Sequence, residues 1–301
     1  MQGYHVRAAI RSPSKAAGFP KSENLEFVTV PDIVAPDAYT TAIKNVSAVI
    51  HIASPYHFNI QKSEELLVPA REGTLNILRS AATEPSVKRV VITSSFAAMN
   101  QLGTDPYAEP PKVYDESVWN PVTWEEALKG PARVAYQASK KFAELAAHRT
   151  SSLPTCLTLE FVKDEKPGFS ITTLCPPMIY GPPLYPPSAL KDLNESNSQL
   201  WRIISSGKDA EVPLAHTPVF VDVRDIALAH VLAIETPKAA NQRYLVVGAQ
   251  YSNQEVIPPI LFKRSRELID SRSSISSEGS FLNMISCQLA TPESISVGSS
   301  L

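Results

Sequence analysis

The sequence has little of what marks a special environment. Only three cysteines, Cys156, Cys175 and Cys287, occur in 301 residues, an odd number placed far apart. They make neither a disulfide framework nor a zinc site and fit a reducing compartment, as small core or surface residues. The N-terminus has no apolar signal core, and no run approaches the length of a membrane span. No basic tract stands out and the formal charge is −2, which points away from nucleic acid and anionic membranes. Nor does any clustering of ligating residues suggest a metal. On these absences the chain is expected to be cytoplasmic.

What is present is an ordinary apolar share, 44%, enough for a sizeable core. The pattern alternates strands and helices. Strands are expected at Tyr4–Ile10, Leu25–Val30, Ala48–Ile52, Val90–Thr93 and Ser170–Leu174, and helices at Ala38–Lys44 and Glu64–Ala82. Gly73, in the middle of the long helix, costs helix stability unless close packing requires it. Such alternation predicts an α/β fold with a doubly wound parallel sheet. Residues 96–134 form a loop-rich insertion with Trp119 and Trp124, which either shapes a substrate site or plugs a local core.

The stretch that carries chemistry is Tyr136-Gln137-Ala138-Ser139-Lys140. At helical pitch, residues four apart share a face, so the Tyr136 phenol and the Lys140 ammonium point into the same space. A nearby cation lowers a tyrosine's pKa, which makes the pair a candidate proton donor with its tuner. Upstream, the strand Val90–Thr93 runs into Ser94 and Ser95. Strand end and helix can therefore gather three polar groups at the carboxyl edge of the sheet, where open α/β folds bind ligands. By itself the Tyr-x-x-x-Lys pattern reads first as an amphipathic helix with a solvated lysine; the strand and serines upstream shift the balance.

Taken together, several stretches resemble the extended short-chain dehydrogenase/reductases, in the dihydroflavonol-reductase-like branch with the fungal methylglyoxal, aldehyde and ketone reductases. They are Arg11-Ser12-Pro13-Ser14-Lys15, Val49-Ile50-His51-Ile52-Ala53-Ser54-Pro55, Gly73-Thr74-Leu75-Asn76, Val90 to Phe96, Tyr136 to Lys140, Cys175 to Pro182 and Phe220 to Ala227. The resemblance implies a Rossmann-like domain that binds NADP(H), and a reductase acting on an aldehyde or ketone. It makes Ser95 (or Ser94) the holder of the carbonyl oxygen, Tyr136 the proton donor, and Lys140 the tuner and ribose ligand. Arg11 and Lys15 would hold the 2′-phosphate, Asp32 and Ile33 the adenine edge. Ala53, Ser54, Thr93, Pro176 and Ile179 would line the cofactor path. Basic residues suit phosphate; the plainer alternatives are a basic turn in solvent and an aspartate capping a turn. Asp222, Arg224 and Asp225 look like polar anchors between lobes, or Asp222 caps a helix.

Relatives sharing Ser, Tyr and Lys include nucleotide-sugar epimerases and dehydratases, and a non-catalytic dinucleotide sensor is a third reading. The partner is a small-molecule carbonyl compound, and both monomer and homodimer are open. Expected domains are residues 1–180 for the cofactor, 181–270 for a substrate lobe interleaved with late Rossmann elements, and 271–301 as a disordered serine-rich tail. Two departures from the resemblance stand out. About a dozen residues, His148 to Leu159, intervene after the Tyr136 helix, as a surface insertion or an artefact of the gene model. No glycine-rich strand–turn–helix precedes Gly3, so the sheet should lack a strand between Tyr4–Ile10 and Ala48–Ile52, and the chain as written should fold poorly or be truncated.

Overall fold

The computed structural model describes residues 3–17, 19, 21–105, 108–147, 167–184, 187, 190, 193–206 and 211–255. The insertion at 148–159, the tail at 271–301, and with them Cys156 and Cys287, lie outside the described residues. The chain divides into two compact units, described separately. One takes Met1–Pro176 with Leu228–Val246, the other Pro177–Ala227 with the residues from Val247 on.

In the first unit β1 (Val6–Ile10) pairs in parallel with β2 (Leu25–Thr29). A separate four-stranded parallel sheet has the order β3 (Ala48–His51), β4 (Arg89–Thr93), β5 (Ser170–Cys175) and β8 (Arg243–Leu245). Among the described residues, the free edges of β1 and β3 carry no further strand. On β3, Ile50 is accordingly 40% exposed. Helices α1 (Glu64–Ala82), α2 (Trp124–Lys129) and α3 (Ala132–Ala147) complete this unit with the end of α5 (Val223–Glu235). The fold is α/β and Rossmann-like, as the alternating pattern predicts.

Helix α1 buries Leu66, Leu67, Leu75 and Leu78 almost completely. Each such side chain contributes about 1.5–3 kcal/mol. Gly73 has its reason in packing: a Cβ there would sit 2.7 Å from Ile33 Cδ1. Helix α2 opens with a reciprocal Thr123–Glu126 capping box. Trp119 and Trp124 pack on Val122, Ala138 and Phe142, so these aromatics plug a local core.

The helix expected at Ala38–Lys44 is a series of turns instead. Asp37 and Asn45 bracket it at φ of 56° and 58°, a conformation that breaks a helix at both ends. Arg7 also draws off the carbonyls of Ala42 and Lys44 through its Nη1. Tyr39 and Ile43 of this segment still reach the core beside Leu75 and Val90.

The second unit holds a small sheet in which β6 (Met178–Tyr180) pairs in parallel, and β9 (Ala249–Gln250) antiparallel, with β7 (Val219–Asp222). Helix α4 (Glu195–Ile204) packs Leu200 beside Tyr180 and Phe220. Asp222 Oδ1 accepts the backbone N–H of Arg224, and the Asp222 carboxylate takes the Arg224 guanidinium at 2.7–2.8 Å. Asp222 thus caps the start of α5. Ser252 and Glu255 form a reciprocal capping box, with bonds of 3.0 and 3.1 Å.

Candidate active site

Parallel pairing brings the carboxyl ends of β3, β4 and β5 to one edge: His51 lies opposite Ile92, and Thr93 opposite Leu174. The chain leaves these ends through Ile52–Ser54, Ser94–Ser95 and Pro176. Helix α3 adds Tyr136 and Lys140 to the same place. A small cavity there is lined by Ala53, Ser54, Thr74, Ser94, Lys140 and Glu144, among others.

Ser95 sits in extended backbone just past β4. Its Oγ accepts the N–H of Ala97 at 3.1 Å, and its side chain hydrogen-bonds the Tyr136 phenol. Lys140 is buried, with Nζ 5.6 Å from the centroid of the Tyr136 ring. The structure thus brings Ser95, Tyr136 and Lys140 together. Ser94 is engaged elsewhere: its Oγ donates to Glu144 Oε2 at 2.6 Å. Tyr56 and Phe58, on the loop after β3, stand 4.9 and 5.8 Å from the Tyr136 ring. Neither is among the residues expected from the sequence; both lie just past the Ala53-Ser54-Pro55 stretch, and no local pattern marks them.

The electrostatics differ from the expectation that Lys140 depresses Tyr136. Burial raises the phenol above its ordinary range, the neighbouring Tyr56 adds to this, and the bond with Ser95 opposes it. Tyr136 is therefore held protonated. Burial lowers the Lys140 ammonium to about 8. It also lowers His51, helped by the Lys140 charge, to about 4, so His51 is neutral near pH 7. His51 Nε2 lies 3.4 Å from Thr74 Oγ1.

Of the remaining predicted residues, Arg11 and Lys15 are exposed directly after β1, Lys15 in a 3-10 turn (Pro13–Ala16). Asp32 Oδ1 accepts the N–H of Val34 at 2.9 Å, so it caps a turn. Ile33 packs against Gly73. Thr93 Oγ1 pairs with His230 Nε2 at 2.6 Å. The Pro176 carbonyl accepts the N–H of Phe96 at 2.8 Å. Ile179 belongs to the second unit, where it pairs with Val221.

The cavity holds two polar groups that the described protein residues leave without a partner or counter-ion. Ser54 Oγ is buried with no hydrogen-bond partner. Lys140, though buried, makes no ion pair with a carboxylate among the described residues. Leaving such groups unpaired is costly unless a polar ligand meets them. Among the described residues, no group of three or more His, Cys, Asp or Glu could hold a metal. No helix there is long and apolar enough to cross a membrane.

Comparison with known proteins gives the family. Residues 5–268 match the 3-beta hydroxysteroid dehydrogenase/isomerase family. An uncharacterised oxidoreductase of Schizosaccharomyces pombe is 41% identical over 84% of this chain and 73% of its own. The ketoreductase azaE of Aspergillus niger is 37% identical over 86% of this chain and 75% of its own. The crystal structure of yeast methylglyoxal/isovaleraldehyde reductase Gre2 complexed with NADPH is similar with a TM-score of 0.74 at 30% identity, covering 85% of this chain and 74% of that one. With the Ser95, Tyr136 and Lys140 set on its expected elements and these likenesses along most of its length, the chain belongs to the 3-beta hydroxysteroid dehydrogenase/isomerase family, within the extended short-chain dehydrogenases/reductases.

Proposed function

We propose that this protein is an NADPH-dependent carbonyl reductase acting on a small aldehyde or ketone. The observation that carries the reading is the convergence of Ser95, Tyr136 and Lys140 beside the cavity that holds the unpartnered Ser54 hydroxyl. NADPH, when bound, supplies the hydride. Ser95 Oγ–H holds the carbonyl oxygen and so orients the carbon for attack. As negative charge builds on that oxygen, the protonated Tyr136 hydroxyl gives it a proton, and the alcohol is complete. The Lys140 ammonium then faces the phenolate left behind and stabilises it, the stage at which its charge matters most. In this reading Lys140 and Ser54 hold ribose hydroxyls, and the exposed Arg11 and Lys15 hold the 2′-phosphate, for which their charge is suited. The likeness to azaE and to NADPH-bound Gre2 supports both substrate class and cofactor. In this reading the second unit serves as the substrate lobe, and the protein works in the cytosol.

The test is NADPH oxidation in the presence of a panel of ketones and aldehydes. Tyr136→Phe should reduce turnover by about 100-fold or more, with NADPH binding retained. Unchanged turnover in that variant would refute the assignment.

A further inference from the structure

Lys140 and Glu144 lie four residues apart on α3, both buried and both lining the same cavity. Side chains at that spacing are neighbours, and a lysine and a glutamate there can pair. In this structure they do not. Glu144 Oε1 takes Arg243 Nε at 2.7 Å, and Oε2 takes Arg243 Nη2 at 3.2 Å and Ser94 Oγ at 2.6 Å. The Cys175 thiol approaches both oxygens at 3.7 Å. Arg243 is in turn fixed by the carbonyls of Glu116 and Val118, at 2.8 and 2.7 Å, and lies 3.9 Å over the Trp119 ring. A guanidinium can fill both carboxylate oxygens and two carbonyls at once, which an ammonium cannot.

We propose that Arg243 is a positioning residue that acts through Glu144: by holding the carboxylate, it leaves the Lys140 ammonium to Tyr136 and to the cofactor. This rests on the catalytic reading above. The polar groups that line the cavity with Lys140 are Glu144 from its own helix, His51 from β3, Ser54, Thr74 from α1, Thr93 at the end of β4 (backed by His230) and Ser94; Tyr136 lies beside it under Tyr56, and Cys175 and Arg243 meet Glu144. His51 stays neutral above pH about 4, and burial holds the Cys175 thiol up. Neither therefore mimics a change in the Lys140–Glu144 relation near neutral pH.

The experiment follows the Lys140 side-chain 15N resonance against pH in the cofactor-free protein, assigned with Lys140→Met, together with kcat and KM against pH. In Arg243→Gln the released Glu144 should pair with Lys140. The Lys140 titration should move up by about one pH unit or more, and kcat should fall about tenfold or more with KM for the carbonyl compound nearly unchanged. The double variant Glu144→Gln/Arg243→Gln removes the competing carboxylate, so both the titration and most of kcat should return. Glu144→Gln alone should leave the Lys140 titration in place, which keeps the test open if Arg243→Gln does not fold. A double variant no better than the single, or a downward move of about one pH unit in Glu144→Gln, would overturn the proposal. If Tyr136→Phe or Lys140→Met retained full turnover, the catalytic reading would fail instead, and the 15N titrations would still decide the pairing.

Discussion

Replacing Lys140 by methionine should stabilise the cofactor-free protein while abolishing its activity. Lys140 is 8% exposed and makes no ion pair among the described residues, its neighbour Glu144 being taken by Arg243, so folding buries its charge without a counter-ion. Burial lowers its pKa from 10.5 to about 8. Below about pH 8 both the folded and unfolded chains carry the proton, and the folded state bears the full cost. Between about 8 and 10.5 the unfolded chain binds more protons, so stability rises with pH and the cost disappears. At about 1.4 kcal/mol per pH unit, the gap corresponds to about 3 kcal/mol. Methionine keeps most of the stem without the charge. The expected result is a gain approaching about 3 kcal/mol at pH 7, fading towards zero near pH 10.5. Urea unfolding followed by tryptophan fluorescence reads this directly, because Trp119 and Trp124 sit in the core cluster beside α3. A Lys140→Met protein less stable than the parent at pH 7, or a gain that does not change with pH, would refute the reasoning. The destabilising charge is one the proposed reaction requires, a common trade between activity and stability.

Ser94 and Ser95 should separate structure from chemistry. Ser94→Ala removes a 2.6 Å bond to a buried carboxylate and should cost about 1.5–3 kcal/mol in unfolding experiments. Ser95→Ala should cost less stability but more turnover, and the reverse pattern would exchange their roles. His51 has a folded pKa of about 4, depressed by burial and then by Lys140. Its neutral form therefore supports the fold above about pH 6.5, and that support is lost as pH falls towards 4. His51→Asn should flatten this part of the acid-unfolding curve; an unaltered curve would count against a buried neutral His51. Gly181, at φ 138°, would place a Cβ 2.6 Å from Val223 Cγ1. Gly181→Ala should accordingly destabilise by about 1–3 kcal/mol, and a neutral effect on thermal unfolding would contradict that geometry.

Much of this was legible in the sequence where signals are local. The leucine and alanine spacing of Glu64–Ala82 gives α1 to the residue. Val90–Thr93, followed by two serines, marks the buried β4, and the Tyr136–Lys140 spacing alone puts both side chains on one helical face. What was not legible depends on contacts distant in sequence or on the backbone. The turns at Ala38–Lys44 follow from positive φ at Asp37 and Asn45, which composition does not announce. The role of Glu144 depends on β8, which brings Arg243 to it from 99 residues away. The raised Tyr136 follows from burial and Tyr56, which a spacing argument weighing only the lysine could not anticipate.

The central claim is hydride delivery to a carbonyl carbon with Tyr136 as proton donor. Its most direct test is incubation of the protein with NADPH carrying deuterium at both C4 positions and a ketone substrate, followed by mass and NMR analysis of the alcohol. The account predicts one deuterium at the carbinol carbon, formed with one handedness, and about 100-fold less product with Tyr136→Phe. An alcohol without deuterium, or equal product from Tyr136→Phe, would contradict it.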